Sequence, residues 1–296
     1  MKNLNFEQLA FEYQTTDISL TKLAKREKTT VETLSKYFKL MGVEIINKQN
    51  RPKFNIHVFD EIDTEEKAYW LGFIFADGYI GSTPIRDDKK SIYNFEISLQ
   101  KSDSKHLEKF KEFISFEKDV TIDSFRCRIM VANKHFWTTL NNLGCTPRKS
   151  LTLSFPENLP EHLIKHFIRG YFDGDGCISR YIHVHTVSPN ISLLGTPEFL
   201  SKIKEITNIE CDFTQDKRRT EQTLTMQFNK ENGIKFINYL YSDATIYLDR
   251  KYKLYNFFKN GSRSVEEFAE LLQTNIGEDC DVNTEIIEET KESLIS

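Results

Sequence analysis

The pattern of apolar and polar positions predicts two almost wholly apolar helices in the middle of the chain. Residues 69–78 read Y-W-L-G-F-I-F-A-D-G, and residues 167–176 read F-I-R-G-Y-F-D-G-D-G. Each segment carries two small residues four positions apart, which therefore share one face of a helix. These pairs are Gly72 with Ala76 and Gly170 with Gly174. Small residues at this spacing let two helices approach backbone to backbone, so we expect the segments to pack together.

Each predicted helix ends in an acid followed by a glycine. Asp77 and Asp175 fall in the last turns, and we expect Gly78 and Gly176 to close those turns in the left-handed conformation. A carboxylate at this end opposes the helix dipole, at a cost of ~0.3–1 kcal/mol when exposed. Two such carboxylates side by side also repel each other, and a divalent cation between them would remove both costs. The pattern thus predicts a metal site; the alternative is a pair of ordinary helices whose acids point to water.

A recurring order of strands and helices surrounds the two apolar segments. Residues 92–100 alternate apolar and polar side chains as a strand does, whereas the preceding stretch 79–90 is typical of a turn-rich loop. The pattern then predicts a helix at 104–114, a second hairpin at 120–132 and another helix at 135–143.

The second half of the chain matches the first in the same order. I-S-L at 97–99 recurs at 191–193, and M-V-A-N-K at 130–134 recurs as M-Q-F-N-K at 226–230. With the two terminal acids, the matches lie 94, 96 and 98 residues apart, which indicates a duplication. We predict an α+β fold of two αββαββα units, related by a pseudo-two-fold axis and carrying two antiparallel sheets.

The predicted boundaries divide the chain into five parts. They are a small all-α module at 1–47, a linker at 48–63, the first αββαββα unit at 64–155, the second at 156–262, and a short helix with an acidic, disordered tail at 263–296. Thr64, which two glutamates follow, is placed to cap the first apolar helix.

The N-terminal module has the spacing of three short helices. Ser19 and Thr30 are placed to cap the second and third, and Gly42 to end the third. A short helix, a tight turn and an amphipathic helix are typical of a helix-turn-helix module. In that case the exposed side of the third helix, including Lys36, enters a groove of DNA. The alternative is a purely structural cap.

The two apolar segments resemble the signature helices of the LAGLIDADG homing endonucleases. The resemblance covers residues 65–259, and the first copy departs from it by carrying Phe75 where the second keeps an acid, Asp173. It implies a LAGLIDADG homing endonuclease fold with antiparallel DNA-binding sheets, in a monomer with internal pseudo-symmetry. It also implies site-specific double-strand cleavage of DNA that leaves short 3′ overhangs and uses Mg²⁺, with Mn²⁺ as an alternative ion.

Carried over position by position, the resemblance makes Asp77 and Asp175 both the metal ligands and catalytic residues, and leaves a backbone ligand near position 76 unassigned. In the family a lysine follows the last strand of each unit, and the matching residues are Lys149 and Lys251. Such a lysine would stabilise charge at the scissile phosphate or polarise water. Asp173 is either a partner of the metal site or a surface acid.

The polar faces of the strands are the expected DNA-binding surface, because arginine, glutamine, asparagine and threonine read base edges in the major groove. The predicted DNA-binding residues are Lys36, Asn94, Glu96, Ser98, Gln100, Arg126, Arg128, Arg180, Tyr181, His183, His185, Lys217, Arg218, Arg219, Thr223, Thr225 and Gln227. We expect the two histidines to share one strand face. For any single residue of this set the alternative is a solvated sheet face.

The net charge of −4 is compatible with a DNA partner once it is divided along the chain. From Ile276 onward seven acids stand against one lysine, a local −6, which leaves +2 for the preceding residues. Residues 1–55 hold ten lysines and arginines against six acids. A basic head with an acidic tail is typical of a DNA-binding protein, although chance clustering produces the same pattern.

Cysteine usage and hydropathy indicate the compartment. Five scattered cysteines without C-x-x-C spacing argue against a disulfide framework or a zinc knuckle and favour a reducing environment. The chain shows no apolar leader and no stretch of ~20 apolar residues. We therefore expect no membrane partner and no secretion, and a location in the cytoplasm or in the organelle or phage-infected cell that holds the target DNA.

Two functions remain open at this point. The first is a homing-type DNA endonuclease. The second is a nucleic-acid-binding protein without cleavage, either an intron maturase that assists RNA splicing or a DNA-binding regulator. The presence of both terminal acids favours the endonuclease, because a pure binder has no use for a carboxylate pair at a DNA surface.

Overall fold

The computed structural model describes residues 5–15, 18–43, 45, 53–84, 91–147, 149, 152–215 and 223–271. The chain divides into two compact units, Met1–Pro52 and Lys53–Ser296. The predicted contacts of Lys217, Arg218 and Arg219, part of the predicted linker and the acidic tail lie outside the described residues.

The N-terminal unit contains three helices, α1 (Phe6–Thr15), α2 (Leu20–Glu27) and α3 (Val31–Leu40). Both predicted caps are present: the Ser19 hydroxyl accepts from the Lys22 backbone N–H at 3.2 Å, and the Thr30 hydroxyl accepts from that of Thr33 at 3.1 Å. Tyr13, Leu23, Leu34 and Phe38 form its apolar centre. The helices agree with the sequence pattern, while their use as a DNA-binding helix-turn-helix stays a prediction.

The second unit of the chain repeats one order of elements. The first copy is α4 (Glu65–Asp77), β1 (Gly78–Pro84), β2 (Ser91–Gln100), α5 (Ser104–Phe113), β3 (Thr121–Ile122), β4 (Arg126–Ala132) and α6 (Lys134–Asn142). The second copy is α7 (Ile164–Asp175), β5 (Gly176–Ile182), β6 (Thr186–Gly195), α8 (Pro197–Thr207), β7 (Asp212–Thr214), β8 (Leu224–Gln227) and α9 (Lys230–Tyr241). The predicted α+β fold of duplicated αββαββα units is therefore confirmed.

Each copy forms one antiparallel sheet with the same strand order. The first is β1-β2-β4-β3 and the second is β5-β6-β8-β7. After the second copy follow α10 (Asp249–Phe258), β9 (Arg263–Ser264) and α11 (Val265–Leu271), and β9 pairs with the start of β6. The short helix predicted near position 265 is thus part of the packed unit, because Val265 and Phe268 are buried.

The strand register corrects the alignment of the two copies. Gly78 pairs with Ile97, and the equivalent Gly176 pairs with Leu193, so the two I-S-L tripeptides are offset by two residues in space. The matching asparagines are equivalent, since Asn133 and Asn229 each cap the helix that follows. The order of helices and strands is therefore duplicated. A short tripeptide match inside a strand can be displaced by two residues between the copies, because such a shift keeps the same side chains on the same face.

Two stretches differ from the sequence pattern. The segment after Gly78, predicted as a loop, is strand β1, because pairing along its whole length with residues 91–97 of β2 satisfies its backbone despite its glycine, serine and proline content. The described part of the predicted linker, 53–63, packs onto the core through Val58, Phe59 and Ile62. The segment has no helical period, which is why the sequence pattern predicts a linker. Its apolar side chains nevertheless hold it against the core.

Candidate metal centre and nucleic-acid interface

The two central helices, α4 and α7, pack backbone to backbone as the small residues predict. A Cβ at Gly72 would overlap the carbonyl oxygen of Phe167, and a Cβ at Gly170 would overlap that of Tyr69. Further along, a Cβ at Gly174 would overlap the Cβ atom of Ala76. Because contacts advance in the same direction on both helices, α4 and α7 run parallel and their C-terminal ends lie together.

The acids at these two ends form one electrostatic site. Gly174, the residue before Asp175, is so close to α4 that a Cβ there would lie 3.1 Å from Oδ2 of Asp77. Asp77 is exposed to solvent, yet desolvation by the surrounding protein and then the charge of Asp175 raise the pKa of its carboxyl to about 6. The Asp175 charge therefore makes ionisation of Asp77 harder, and a cation at the site would relieve this.

The expected left-handed glycine turns do not occur. Gly78 has φ −75° and Gly176 has φ −85°, both extended, because each glycine starts a strand directly after the helix. Glycine is needed here for space: a Cβ at Gly78 would lie 2.6 Å from the carbonyl oxygen of Ile74, and one at Gly176 would overlap the Phe172 ring. The sharp helix-to-strand exit leaves each terminal acid at the junction between a central helix and its sheet.

Lysine ammonium groups neutralise both helix ends. Lys149 Nζ donates to the carbonyl oxygens of Ala76 at 2.9 Å and Gly78 at 2.6 Å. Lys251 Nζ donates to those of Phe172 at 2.6 Å, Asp173 at 2.8 Å and Gly176 at 2.5 Å. The bonds to the two equivalent glycines show the pseudo-symmetry, and they place positive charge against the negative ends of both helix dipoles.

The two lysines are not equivalent in exposure. Lys251 is buried (3% exposed), and its three N–H donors are all used by carbonyl oxygens, so it offers none to a substrate in this structure. Burial lowers the pKa of Lys251 to about 8, against the opposing charge of Asp173. Lys149 is half-buried and uses two donors in these bonds. That a lysine lies close to each scissile phosphate stays a prediction for both residues.

Asp173 is not a surface acid. It is 1% exposed and accepts hydrogen bonds from the Tyr69 hydroxyl at 2.7 Å, the Tyr241 hydroxyl at 2.5 Å and the backbone N–H of Leu248 at 2.7 Å. Burial raises the pKa of its carboxyl although the Lys251 charge opposes that shift. The Asp173 carboxylate thus offsets the charge of Lys251, whose ammonium binds the carbonyl oxygens at the end of α7. The equivalent position in the first copy is the apolar Phe75.

A cavity of about 270 Å³ opens beside the helix ends. Its lining includes Ala76, Lys149, Tyr171, Asp175 and Thr223. Burial and then the Asp175 carboxylate raise the pKa of Tyr171 well above its usual value, so its hydroxyl stays protonated and donates to the carbonyl oxygen of Leu194 at 2.9 Å. The cavity brings a predicted metal ligand, a predicted catalytic lysine and a predicted DNA-binding threonine to one place.

The predicted sheet residues of the first copy share one face, which we call the open face. Their strand neighbours Phe95, Ile97, Cys127 and Ile129 are buried on the opposite side, against helices. Gln100, Arg126 and Arg128 are exposed, and Asn94, Glu96 and Ser98 are half-buried. Tyr79 of β1, which pairs with Glu96, is 59% exposed on the same face and was missed because β1 was not recognised as a strand.

The open face of the second copy differs from the prediction at one arginine. Tyr181, Thr225 and Gln227 lie on it, but Arg180 lies on the opposite, helix-covered side, with its guanidinium 4.9 Å from the Phe268 ring. Neighbouring strand residues point to opposite faces, so Arg180 and Tyr181 cannot share one. The half-buried Ser179, Ser188 and Asn190 occupy the open face instead.

The two histidines of this region are in a turn and not on a strand face. Backbone hydrogen bonds between His183 and Thr186 close the β5–β6 hairpin, and Val184 and His185 form its tip. Both histidines are exposed. The tip contains neither glycine nor asparagine, which removed the usual sequence signal for a two-residue turn. Lys36 is exposed on α3 of the N-terminal unit.

Comparisons with solved structures found several similar chains. The chain is similar to the structure of the I-LtrWI LAGLIDADG homing endonuclease bound to target DNA, with 13% identity, a TM-score of 0.47, and coverage of 80% of this chain and 97% of that one. It is also similar to the LAGLIDADG meganuclease I-AabMI bound to uncleaved DNA, with 13% identity, a TM-score of 0.47, and coverage of 76% and 96%.

A third similar structure is that of I-SmaMI bound to an uncleaved DNA target in the presence of calcium ions, with 13% identity, a TM-score of 0.46, and coverage of 79% of this chain and 100% of that one. No protein-family model matches the chain. No curated protein matches it significantly. Across the described residues, no helix has both the length and the apolar character needed to cross a membrane.

Proposed function

We propose that this protein is a site-specific DNA endonuclease that cuts both strands of a duplex with Mg²⁺ and leaves short 3′ overhangs. The observation that carries the proposal is the pairing of Asp77 and Asp175 at the adjoining ends of two helices packed through glycine. A protein that only bound nucleic acid would gain nothing from this pair, because the acids repel phosphates as well as each other.

The donor set fits a magnesium ion. Both acids offer carboxylate oxygens, the ligands that Mg²⁺ prefers. Desolvation first, and the Asp175 charge second, raise the pKa of Asp77, and a bound cation would oppose both effects. We propose that Asp77 and Asp175 hold the ion or ions, with Mn²⁺ able to replace Mg²⁺. When bound, such ions supply an activated water and stabilise the leaving oxygen of a phosphodiester.

The chain's own contribution is to hold the acids rigidly. Lys149 and Lys251 fix the carbonyl oxygens at the two helix ends, and the glycine contacts fix the distance between the helices. We assign Lys251 as a positioning residue, because its donors are occupied. Lys149 lines the cavity and is the better candidate for contact with a phosphate.

The open faces of the two sheets are proposed to bind the DNA. A two-stranded ribbon fits the major groove, and its arginine, asparagine and glutamine side chains can pair with base edges. Arg126, Arg128 and Gln100 carry this role in the first copy, and Tyr181, Thr225 and Gln227 in the second. In the N-terminal unit, Lys36 on α3 is proposed to add a contact to the same DNA. The protein is proposed to act as a monomer, in the compartment that holds this DNA.

Cleavage itself is the test. The full-length protein with Mg²⁺ is incubated with a library of duplex sites, and the cut ends are sequenced; we expect one preferred site with short 3′ overhangs. Asp77→Asn and Asp175→Asn should each abolish double-strand cleavage while DNA affinity stays within about twofold. Asp119→Asn, at an exposed acid outside the site, is the matched control and should cut normally.

Two outcomes would overturn the proposal. Full cutting by either site variant would remove the acids from the mechanism. Tight, specific binding of DNA or RNA by the wild type without any cut, with Mg²⁺ and with Mn²⁺, would favour the maturase or regulator instead.

A further inference from the structure

A cluster of two histidines and one aspartate lies outside the site described above. His57 Nδ1 is 2.6 Å from Oδ2 of Asp60, and His135 Nε2 is 2.6 Å from Oδ1 of the same carboxylate. The ligand atoms of the three residues all lie within 4.8 Å of one another, and the two imidazole rings are 4.5 Å apart. Each oxygen of one carboxylate thus contacts a different histidine nitrogen, which is more than a single histidine–acid contact.

We propose that His57, Asp60 and His135 form a binding site for a divalent transition-metal ion, with Zn²⁺ as the natural occupant. Two imidazole nitrogens and one carboxylate oxygen are a common zinc donor set, and a water would complete the tetrahedron. A tetrahedral ion separates its ligand atoms by about 3.3 Å, given metal–ligand distances near 2.0–2.1 Å. The two histidine–aspartate contacts of 2.6 Å would therefore open by about 0.7 Å, and any ligand atoms farther apart, up to 4.8 Å, would move closer together.

The backbone on both sides of the cluster is anchored. Phe59, next to Asp60, is buried and packs 5.8 Å from the ring of Phe136, which follows His135. Asn55 accepts from the backbone N–H of His57 at 3.0 Å, and its own N–H donates to the carbonyl oxygen of Ile114 at 2.7 Å. The three ligands thus start from fixed positions, so little conformational freedom is lost when an ion binds.

The surroundings favour a ligand role as well. The Thr139 hydroxyl, one helical turn after His135, donates to Oδ1 of Asp60 at 3.2 Å and orients the carboxylate, as outer partners do at metal sites. The three side chains are 64%, 39% and 44% exposed in chain order, so an ion can enter from solvent. Nitrogen donors disfavour Mg²⁺, which separates this site from the proposed catalytic one.

The position indicates what the ion would do. His57 and Asp60 belong to the segment 53–63, and His135 belongs to the first turn of α6. A bound ion would join the start of this unit of the chain to a helix that follows about 75 residues later, and would hold the segment where Val58 and Phe59 reach the core. The ion would therefore have a structural role, with a water as its fourth ligand. This role does not depend on whether the protein cuts DNA.

Cobalt titration of the full-length, chelator-treated protein tests the site, because Co²⁺ reports tetrahedral nitrogen and oxygen ligation by its visible absorption. We expect one tetrahedral Co²⁺ per chain, displaced by one Zn²⁺ and not by excess Mg²⁺. His57→Ala and His135→Ala should each lose this band and weaken Zn²⁺ affinity by at least about tenfold. His162→Ala removes another exposed histidine and should leave both unchanged.

A thermal measurement separates ligation from folding. Zn²⁺ should raise the Tm of the wild type and of His162→Ala but not that of His57→Ala, even if the last variant starts from a lower value. If the wild type shows no tetrahedral band, or if His57→Ala and His135→Ala keep it, the cluster is a hydrogen-bonded triad only and the proposal is wrong.

Discussion

The hydroxyl of Tyr69 donates to the Asp173 carboxylate at 2.7 Å and so joins α4 to α7 inside the protein. Tyr241 and the Leu248 backbone N–H complete the set of donors, and the Lys251 ammonium lies close enough to lower the pKa of the acid. The second copy thereby compensates a buried lysine with a buried carboxylate. In the first copy Phe75 occupies the equivalent position, and its lysine is less buried.

We expect Asp173→Asn to destabilise the protein by about 3 kcal/mol. The amide NH₂ group would face the hydroxyl and N–H donors that now bind the carboxylate, and the buried Lys251 would lose a nearby negative charge. Urea denaturation measures the loss. The control is Asp243→Asn, which removes an exposed pair with Lys165 and should change the free energy of unfolding by less than about 0.5 kcal/mol. Equal losses in both variants would show that the internal network does not stabilise the helix ends.

The raised pKa of Asp77 predicts how stability depends on pH. Its carboxyl has a pKa of about 6 in the folded chain against 3.8 ordinarily, so the folded state holds the proton more tightly than the unfolded state. Stability should therefore fall as pH rises from about 3.8 to about 6, and the cost should remain above that window. Asp77→Asn removes the cost.

Without divalent ions, we expect Asp77→Asn to have a higher Tm than the wild type at pH 7.5 and the same Tm below pH 3.8. Calorimetry over this range gives the comparison. Mg²⁺ should raise the Tm of the wild type at pH 7.5 and have little effect on the variant. If Asp77→Asn raises the Tm by the same amount at every pH, the pKa of the Asp77 carboxyl is not raised in the folded protein.

The central helices could be predicted from the sequence because their signal is local. Gly72, Gly170 and the terminal acids sit at fixed spacings within single helices, and the helical period converts spacing into a shared face. Strand β1 and the position of Arg180 were not predicted correctly. The composition of β1 disfavours a strand, and only its pairing with β2 establishes one. For Arg180, side chains alternate between the two faces of a strand, but the sequence does not show where that strand begins, so the face could not be assigned.

Contacts between residues far apart in the chain could not be predicted from local patterns. Asp173 meets Tyr241 over 68 residues of chain, and Lys251 meets Gly176 over 75. The His57–Asp60–His135 cluster likewise depends on α6 folding back onto the segment 53–63. A single sequence shows the residue types but not which of them become neighbours, so side chains that act through long-range contacts need coordinates.

The close approach of α4 and α7 predicts a severe effect of one methyl group. Gly170→Ala places a Cβ into the carbonyl oxygen of Tyr69 and 2.9 Å from the Phe73 nitrogen, and rigid backbone cannot yield as a side chain does. We expect a loss of about 3 kcal/mol in the free energy of unfolding, together with loss of activity.

Gly233→Ala on α9 is the matched control. Its Cβ would meet side-chain atoms, 2.8 Å from Cγ1 of Ile191, and alanine favours the helix by ~0.5–1 kcal/mol. We expect a net loss below about 1 kcal/mol for this variant in the same denaturation experiment. A Gly170→Ala protein as stable as Gly233→Ala would contradict backbone-to-backbone packing of the central helices.

The two arginines Arg128 and Arg180 make opposite predictions about DNA. Arg128 is exposed on the open face, and Arg180 packs on Phe268 behind the other sheet. If the open faces bind the duplex, Arg128→Ala should weaken binding of the preferred site by about 1–3 kcal/mol, with unchanged Tm. Arg180→Ala should leave the intrinsic affinity nearly unchanged and lower the Tm, because it removes packing and a cation–π contact. Fluorescence anisotropy at fixed salt, with Tm measured on the same samples, compares them. Similar affinity losses in both variants would mean that the DNA-binding surface is not the one defined by the strand alternation.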